Sequence, residues 1–274
     1  MLKQRIIFGV LGVIAAIAII FFASVQVIGV CIAVIAALGL WEFYRVTGLF
    51  SKNSPSVFLG YAYAAFLYVY TILAGSVNSY VFLLSVLIYV FLLLTLTVMF
   101  HDKMSFNEAA VSFLGTVYIA VFFLHIVLIR ALNSGKLLIW ILFICAWATD
   151  TFAYIFGKTM GKHKLCPKIS PKKTVEGSLG GILGCMLCVF VYTFAVSGIC
   201  GFGVNHASAL AAAALGALFS QVGDRAASCI KREHGAKDYS NLIPGHGGIL
   251  DRFDSVLFIS PLIYYMLAHF PIFM

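Results

Sequence analysis

The sequence predicts an all-α integral membrane protein with about nine transmembrane helices. Three observations predict it. Apolar residues make up 62% of the 274-residue chain, charged residues only 10%, and the mean hydropathy is +1.05. A soluble domain carries roughly 25% charged residues, so a water-facing surface of this size would be left uncovered. Disorder is excluded by the same numbers, because it needs low hydrophobicity and high charge. The apolar stretches are continuous rather than alternating in period two, which excludes barrel strands.

A spanning helix needs about 20 mostly apolar residues. Runs of that kind lie near 6–23, 25–44, 57–75, 79–100, 108–130, 137–157, 178–200, 206–224 and 255–273. Lys3 and Arg5 precede the first run as in a secretion signal, but no small-residue cleavage site follows, so this run reads as a retained span. Only Ser24, Val25 and Gln26 separate it from the second. With a cytoplasmic N-terminus, sixteen of the eighteen Lys and Arg residues fall in cytoplasmic segments and only Arg130 and Lys136 on the other side. That asymmetry is a strong positive-inside signal. The basic excess, net +8, therefore reports topology first and does not indicate nucleic acid. Residues 1–100 read as N-terminal transmembrane helices and 101–274 as a catalytic transmembrane half with a cytoplasm-facing polar site.

Cys185 and Cys188 form a C-x-x-C inside a span with no second metal-ligand pair, which reads as helix packing. Glu42, in Trp41-Glu42-Phe43-Tyr44, reads as a structural residue at a membrane interface.

Three polar clusters exceed what orientation requires. Asp150 lies inside the sixth span, about seven residues, or roughly 10 Å, from its cytoplasmic end. An ionised Asp near the bilayer centre costs about 2.5–3.5 kcal/mol on insertion scales, so it should face a polar cavity or a cation. The segment 158–177 holds six lysines within the sixteen residues 158–173, with Gly161 and Pro171 expected to keep the backbone irregular and its N–H groups open to phosphate. Within it lies Ser170-Pro171-Lys172-Lys173-Thr174-Val175-Glu176-Gly177, leading into the seventh span. The third cluster runs from Asp224 to Asp254. If the eighth span continues as a helix, Asp224, Ser228, Lys231 and Arg232 share one face. Asp251 and Asp254 share a face at the start of the ninth span.

By the alternation of spans, all three clusters open to the cytoplasm. Carboxylates beside many lysines and arginines suit a divalent metal holding a nucleoside triphosphate: one or two acids bind Mg²⁺ and the bases neutralise phosphate. No P-loop, zincin or nucleophile-elbow motif is present. Two other readings fit such clusters, a CTP-dependent lipid-alcohol kinase and a cation transporter. The transporter is disfavoured by the absence of an internal repeat.

The stretch Ser228 to Asp254 resembles the signature of phosphatidate cytidylyltransferases, the CDP-diacylglycerol synthases. It matches S-x-hydrophobic-K-R, then K-D, then hydrophobic-P-x-H-G-G-hydrophobic-x-D-R-hydrophobic-D at every specified position over 27 residues. Ser170 to Gly177 and the D-x-x-A-Y stretch from Asp150 to Tyr154 are similar to the family too. The resemblance implies that CTP and phosphatidic acid react with Mg²⁺ to give CDP-diacylglycerol and pyrophosphate, in a bacterial plasma-membrane protein that forms a homodimer. A second, monovalent cation is left open. The resemblance assigns Asp224 and Asp251 to the metal, and Asp150 joins them as a candidate ligand. Lys231, Arg232, His246, Arg252 and Asp254 are the expected catalytic residues. Ser170, Lys172, Lys173, Thr174, Ser228 and Lys237 are the expected substrate-binding residues.

Overall fold

The computed structural model describes residues 17–166, 170–243, 245 and 247–274, excluding the side chain of Pro171. Among these residues, seven helices are long and apolar enough to cross a membrane. The chain divides into two compact units, Met1–Ala131 with His234–Arg252, and Leu132–Glu233 with Phe253–Met274.

In the first unit, α1 (Val25–Val46), α2 (Pro55–Ala74), α3 (Ser79–Met99), α4 (Phe106–Thr116) and α5 (Phe122–Ala131) follow one another with short turns. Their boundaries follow from local chemistry. Ser24 ends the soft junction seen in the sequence: its Oγ accepts from Val27 N–H at 3.3 Å and starts α1. Pro55 occupies the first turn of α2, where its missing N–H costs nothing, and Gly75 closes that helix at φ 69°. Asn78 caps α3, and Ser105 with Glu108 forms a capping box on α4. One π-helical turn, Val117–Val121, joins α4 to α5, so Phe106–Ala131 runs as one helix long and apolar enough to cross a membrane. Inside the unit, the Tyr44 and Thr116 hydroxyls lie 2.6 Å apart, and the Tyr89 hydroxyl donates to Thr116 Oγ1 at 2.8 Å. These buried hydroxyls satisfy one another, as a medium without water requires.

Residues 17–22 are helical, and residues 6–16 of the expected first span lie outside the described residues. Arg130 is one of the two cations that the expected topology puts opposite the basic loops. Its guanidinium donates to Ile20 O at 3.4 Å and Ala23 O at 3.2 Å, serving the carbonyls at the end of that helix.

The second unit holds α6 (Gly135–Thr159), a hairpin of β1 (Lys164–Cys166) and β2 (Ser170–Thr174), α7 (Val175–Cys200), α8 (His206–Glu233) and most of α9 (Leu250–His269). Helices α6 and α7 approach closely because α7 carries glycine where α6 carries phenylalanine. A Cβ at Gly184 would lie 2.1 Å from Phe152 Cγ, and one at Gly180 2.4 Å from Phe156 Cγ. Small residues admit such contact in membrane helix pairs. At the far end, Tyr192 donates to Leu137 O at 2.8 Å. Helix α8 faces the core with Ala209, Ala212, Ala213 and Ala217.

Two expectations need correction. Part of the segment 158–177 is regular: β1 and β2 pair antiparallel, Lys164 with Thr174 and Cys166 with Ser170. Because α6 and α7 are neighbouring antiparallel helices, the segment between them returns on itself, and a short ladder pairs part of its backbone. Among the described residues, β1 and β2 are the named strands in a mostly helical chain. The last helix begins at Leu250 rather than near 255, and its interior contains Pro261. Hydropathy misses its first turn because that turn carries Asp251, although an acid there favours a helix N-terminus.

A carboxylate and lysine cluster as candidate active site

The hairpin is positioned by Glu176. Its Oε2 accepts from Lys162 N–H at 3.0 Å, and its Oε1 lies 2.6 Å from His163 Nδ1. Thr174 caps α7, its Oγ1 accepting from Gly177 N–H at 3.1 Å. Between these fixed points stand Lys172, exposed, and Lys173, half-buried. Lys173 Nζ donates to Asp224 Oδ2 on α8, with the two side chains 30% and 28% exposed. A partly exposed pair of this kind remains open to competing ions.

Two further carboxylates share this electrostatic neighbourhood. Asp150, on α6, interacts with Lys173 and Asp224 and has the Ser255 side chain as a hydrogen-bond partner. Asp254, on α9, interacts with Asp224, Asp150 and Lys231, and its Oδ1 accepts from Ser255 N–H at 2.7 Å. Three helices thus contribute one aspartate each, and the hairpin and α8 contribute one lysine each. Lys231 is only 8% exposed. A buried lysine with the Asp254 carboxylate in its neighbourhood is an arrangement in which both charges tolerate burial.

These donors fit a hard divalent cation. Mg²⁺ takes oxygen ligands, usually one or two carboxylates, with phosphate and water in the other positions. Among the described residues, no three His, Cys, Asp or Glu side chains are gathered closely enough to form a metal cage by themselves.

Of the other motif residues, Lys237, Asp251 and Arg252 lie in the first unit. Asp251 Oδ2 accepts from Tyr239 N–H at 2.8 Å and Gly248 N–H at 2.9 Å, which folds the glycine-rich loop around it. Ile243 N–H donates to Gly247 O at 2.9 Å and closes the loop's narrow end. Arg252 is exposed.

A sequence profile described as the cytidylyltransferase family matches residues 3–270. The chain belongs to the cytidylyltransferase family. It is similar to the phosphatidate cytidylyltransferase of Bacillus subtilis (strain 168), with 35% identity over 276 residues, 98% of each chain. The phosphatidate cytidylyltransferase of Staphylococcus haemolyticus (strain JCSC1435) is 40% identical over 190 residues, 69% of this chain and 71% of that one.

In this cytidylyltransferase-family chain, the structure brings together Asp150, Lys173, Asp224, Lys231 and Asp254 among the residues expected from sequence. Helix α8 does continue to Glu233, so Asp224, Ser228, Lys231 and Arg232 follow the expected helical face. Ser228 is half-buried, and Arg232 and Lys237 are exposed. Ser170 lies in β2 opposite Cys166, and the Thr174 hydroxyl accepts the capping bond. His246 lies outside the described residues. Sequence reasoning missed Ser255, an ordinary serine in an apolar run whose neighbour Asp254 was the only signal. It also missed the chain in which Arg225 Nη2 donates to Gln221 Oε1 and Gln221 Nε2 donates to Ser178 O, each at 3.2 Å. Gln221 ties α8 to the start of α7.

Proposed function

We propose that the chain transfers the cytidylyl group of CTP to phosphatidic acid, releasing pyrophosphate and forming CDP-diacylglycerol for phospholipid synthesis. The observation that carries this reading is the cluster of Asp150, Asp224 and Asp254 with Lys173 and Lys231, in a chain that aligns from end to end with a phosphatidate cytidylyltransferase.

The chemistry follows from charge. A phosphate monoester has a second pKa of about 6, so the lipid phosphate is largely a dianion near pH 7 and needs no general base. Its oxygen attacks the α-phosphorus of CTP, and the bond to the β-phosphate oxygen breaks. The barrier to overcome is repulsion between two anions, which fixed positive charge offsets in ground and transition state. Lys172, Lys173, Lys231 and Arg232 hold phosphate oxygens in this reading. Arg252 clamps a phosphate or orients Asp251, and Ser170, Ser228 and Lys237 line the substrate path. Asp224 and Asp150 would hold Mg²⁺, with Asp254 beside them, and Asp251 is read as a metal ligand on its motif position alone. The metal supplies charge neutralisation of the triphosphate. His246 is read as a phosphate contact on the motif alone.

The finer topology belongs to the same proposal: nine spans, a cytoplasmic N-terminus, the reacting groups facing the cytoplasm where CTP is found, and a homodimer. The experiment that tests the function uses purified protein in lipid micelles with CTP, phosphatidic acid and Mg²⁺, reading pyrophosphate and CDP-lipid together. A lipid-alcohol acceptor with release of CDP would point instead to a kinase.

A further inference from the structure

Glu42 lies on α1, far in sequence from any motif residue, and is fully enclosed at 0% exposure. Its Oε1 accepts from the Ser240 hydroxyl at 2.5 Å and from Ile249 N–H at 2.8 Å, and its Oε2 accepts from Leu250 N–H at 2.8 Å. Leu250 opens α9, and the first amides of a helix have no partner within it. The adjacent amide, Gly248 N–H, goes to Asp251 Oδ2. Three consecutive amides are thus divided between two carboxylates, Glu42 taking two and Asp251 one. The approach is tight: a Cβ at Gly248 would lie 2.5 Å from Glu42 Oε1.

The geometry points to Glu42 as a positioning residue for Asp251, an inference that rests on the cytidylyltransfer reading in which Asp251 belongs to the site. By holding the amides of Ile249 and Leu250, Glu42 fixes where α9 begins and so where the Asp251 backbone stands. It also relieves Asp251 of capping those amides. Without Glu42, Asp251 is the one carboxylate already bound to this loop, and it is drawn further into backbone capping. Its oxygens then turn away from substrate. Glu42 itself touches neither reacting group.

The test uses the full chain in detergent–lipid micelles and compares wild type, Glu42→Gln, Glu42→Ala, Gly248→Ala and the double variant Glu42→Ala with Gly248→Ala. Turnover is scored per folded molecule, with the folded fraction taken from thermal melts. Glu42→Gln and Gly248→Ala each lose about ten- to a hundredfold in kcat, the usual range for residues that orient a ligand from behind, with little change in the KM for phosphatidic acid. The double variant is no worse than Glu42→Ala alone, because the added methyl group no longer meets a carboxylate. Amide exchange over residues 247–252, read by mass spectrometry without substrates, rises in Glu42→Gln. Full turnover per folded molecule in Glu42→Gln, or losses that simply add in the double variant, overturns the assignment. If wild-type protein forms no CDP-lipid, the functional reading fails instead. Amide exchange then decides the contact by itself, and unchanged exchange in Glu42→Gln overturns it.

Discussion

Lys173 donates from its ammonium group to the Asp224 carboxylate, joining the last residues of the hairpin to the middle of α8. The two motifs that stood apart in the sequence therefore meet through one ion pair. Asp224 has a cation partner built into the fold, and that partner is a flexible lysine at a partly exposed position. An arriving phosphate competes for Lys173, and an arriving cation competes for Asp224.

That relationship makes Lys173 more than a topology signal. Lys173→Met lowers the rate of CDP-lipid formation by roughly a hundredfold, the loss expected when one donor to a developing phosphate charge is removed. Lys173→Arg keeps the charge and loses less. A radiolabelled CTP assay at saturating phosphatidic acid checks both, and equal losses in the two variants would contradict a role for the charge.

Close approach of α6 and α7 holds Asp150 in place relative to the hairpin. Gly184→Ala puts a methyl group against the Phe152 ring, 2.1 Å from Cγ before relaxation. It lowers stability by about 1–3 kcal/mol, the usual cost of overpacking. Adding Phe152→Ala restores part of the loss. Thermal melts in detergent provide the comparison, and a double variant less stable than both single variants would place the contact elsewhere.

Thr174 separates a capping role from a substrate role. Thr174→Ser keeps the oxygen that accepts from Gly177 N–H and retains both melting temperature and turnover. Thr174→Val removes it and costs about 1 kcal/mol of stability. Melting curves of the three proteins read the difference directly.

Native cysteines report the proposed orientation. Cys200, at the end of α7, and Cys229, near the end of α8, are both exposed and lie at opposite ends of consecutive helices. In single-cysteine variants, a membrane-impermeant maleimide labels Cys229 only from the cytoplasmic side and Cys200 only from the other. Labelling of both from one side would remove the span assignment.

Much of the helical frame was legible because a bilayer imposes long uninterrupted apolar runs, and seven such helices stand where the runs lie. The site was legible to the extent that charge in a membrane segment is conspicuous: Asp150, Asp224 and Asp254 needed no structure to be noticed. What stayed hidden depends on partners distant in sequence. The β-hairpin was masked because its lysines, with Gly161 and Pro171, read as an irregular loop open to phosphate. The π-turn at Val117–Val121 leaves no mark in an apolar run. Glu42 looked like an interface residue because its three donors lie about two hundred residues away. Ser255 and Gln221 are polar residues in apolar helices whose use only the fold reveals.

The central claim is tested most directly by incubating purified protein in phosphatidic acid micelles with CTP and Mg²⁺ and counting pyrophosphate and CDP-lipid in the same samples, with Asp224→Ala alongside. Equal amounts of both products from the wild-type chain, with neither from a folded Asp224→Ala protein, are predicted. CDP in place of pyrophosphate, or full turnover without the Asp224 carboxylate, would contradict it.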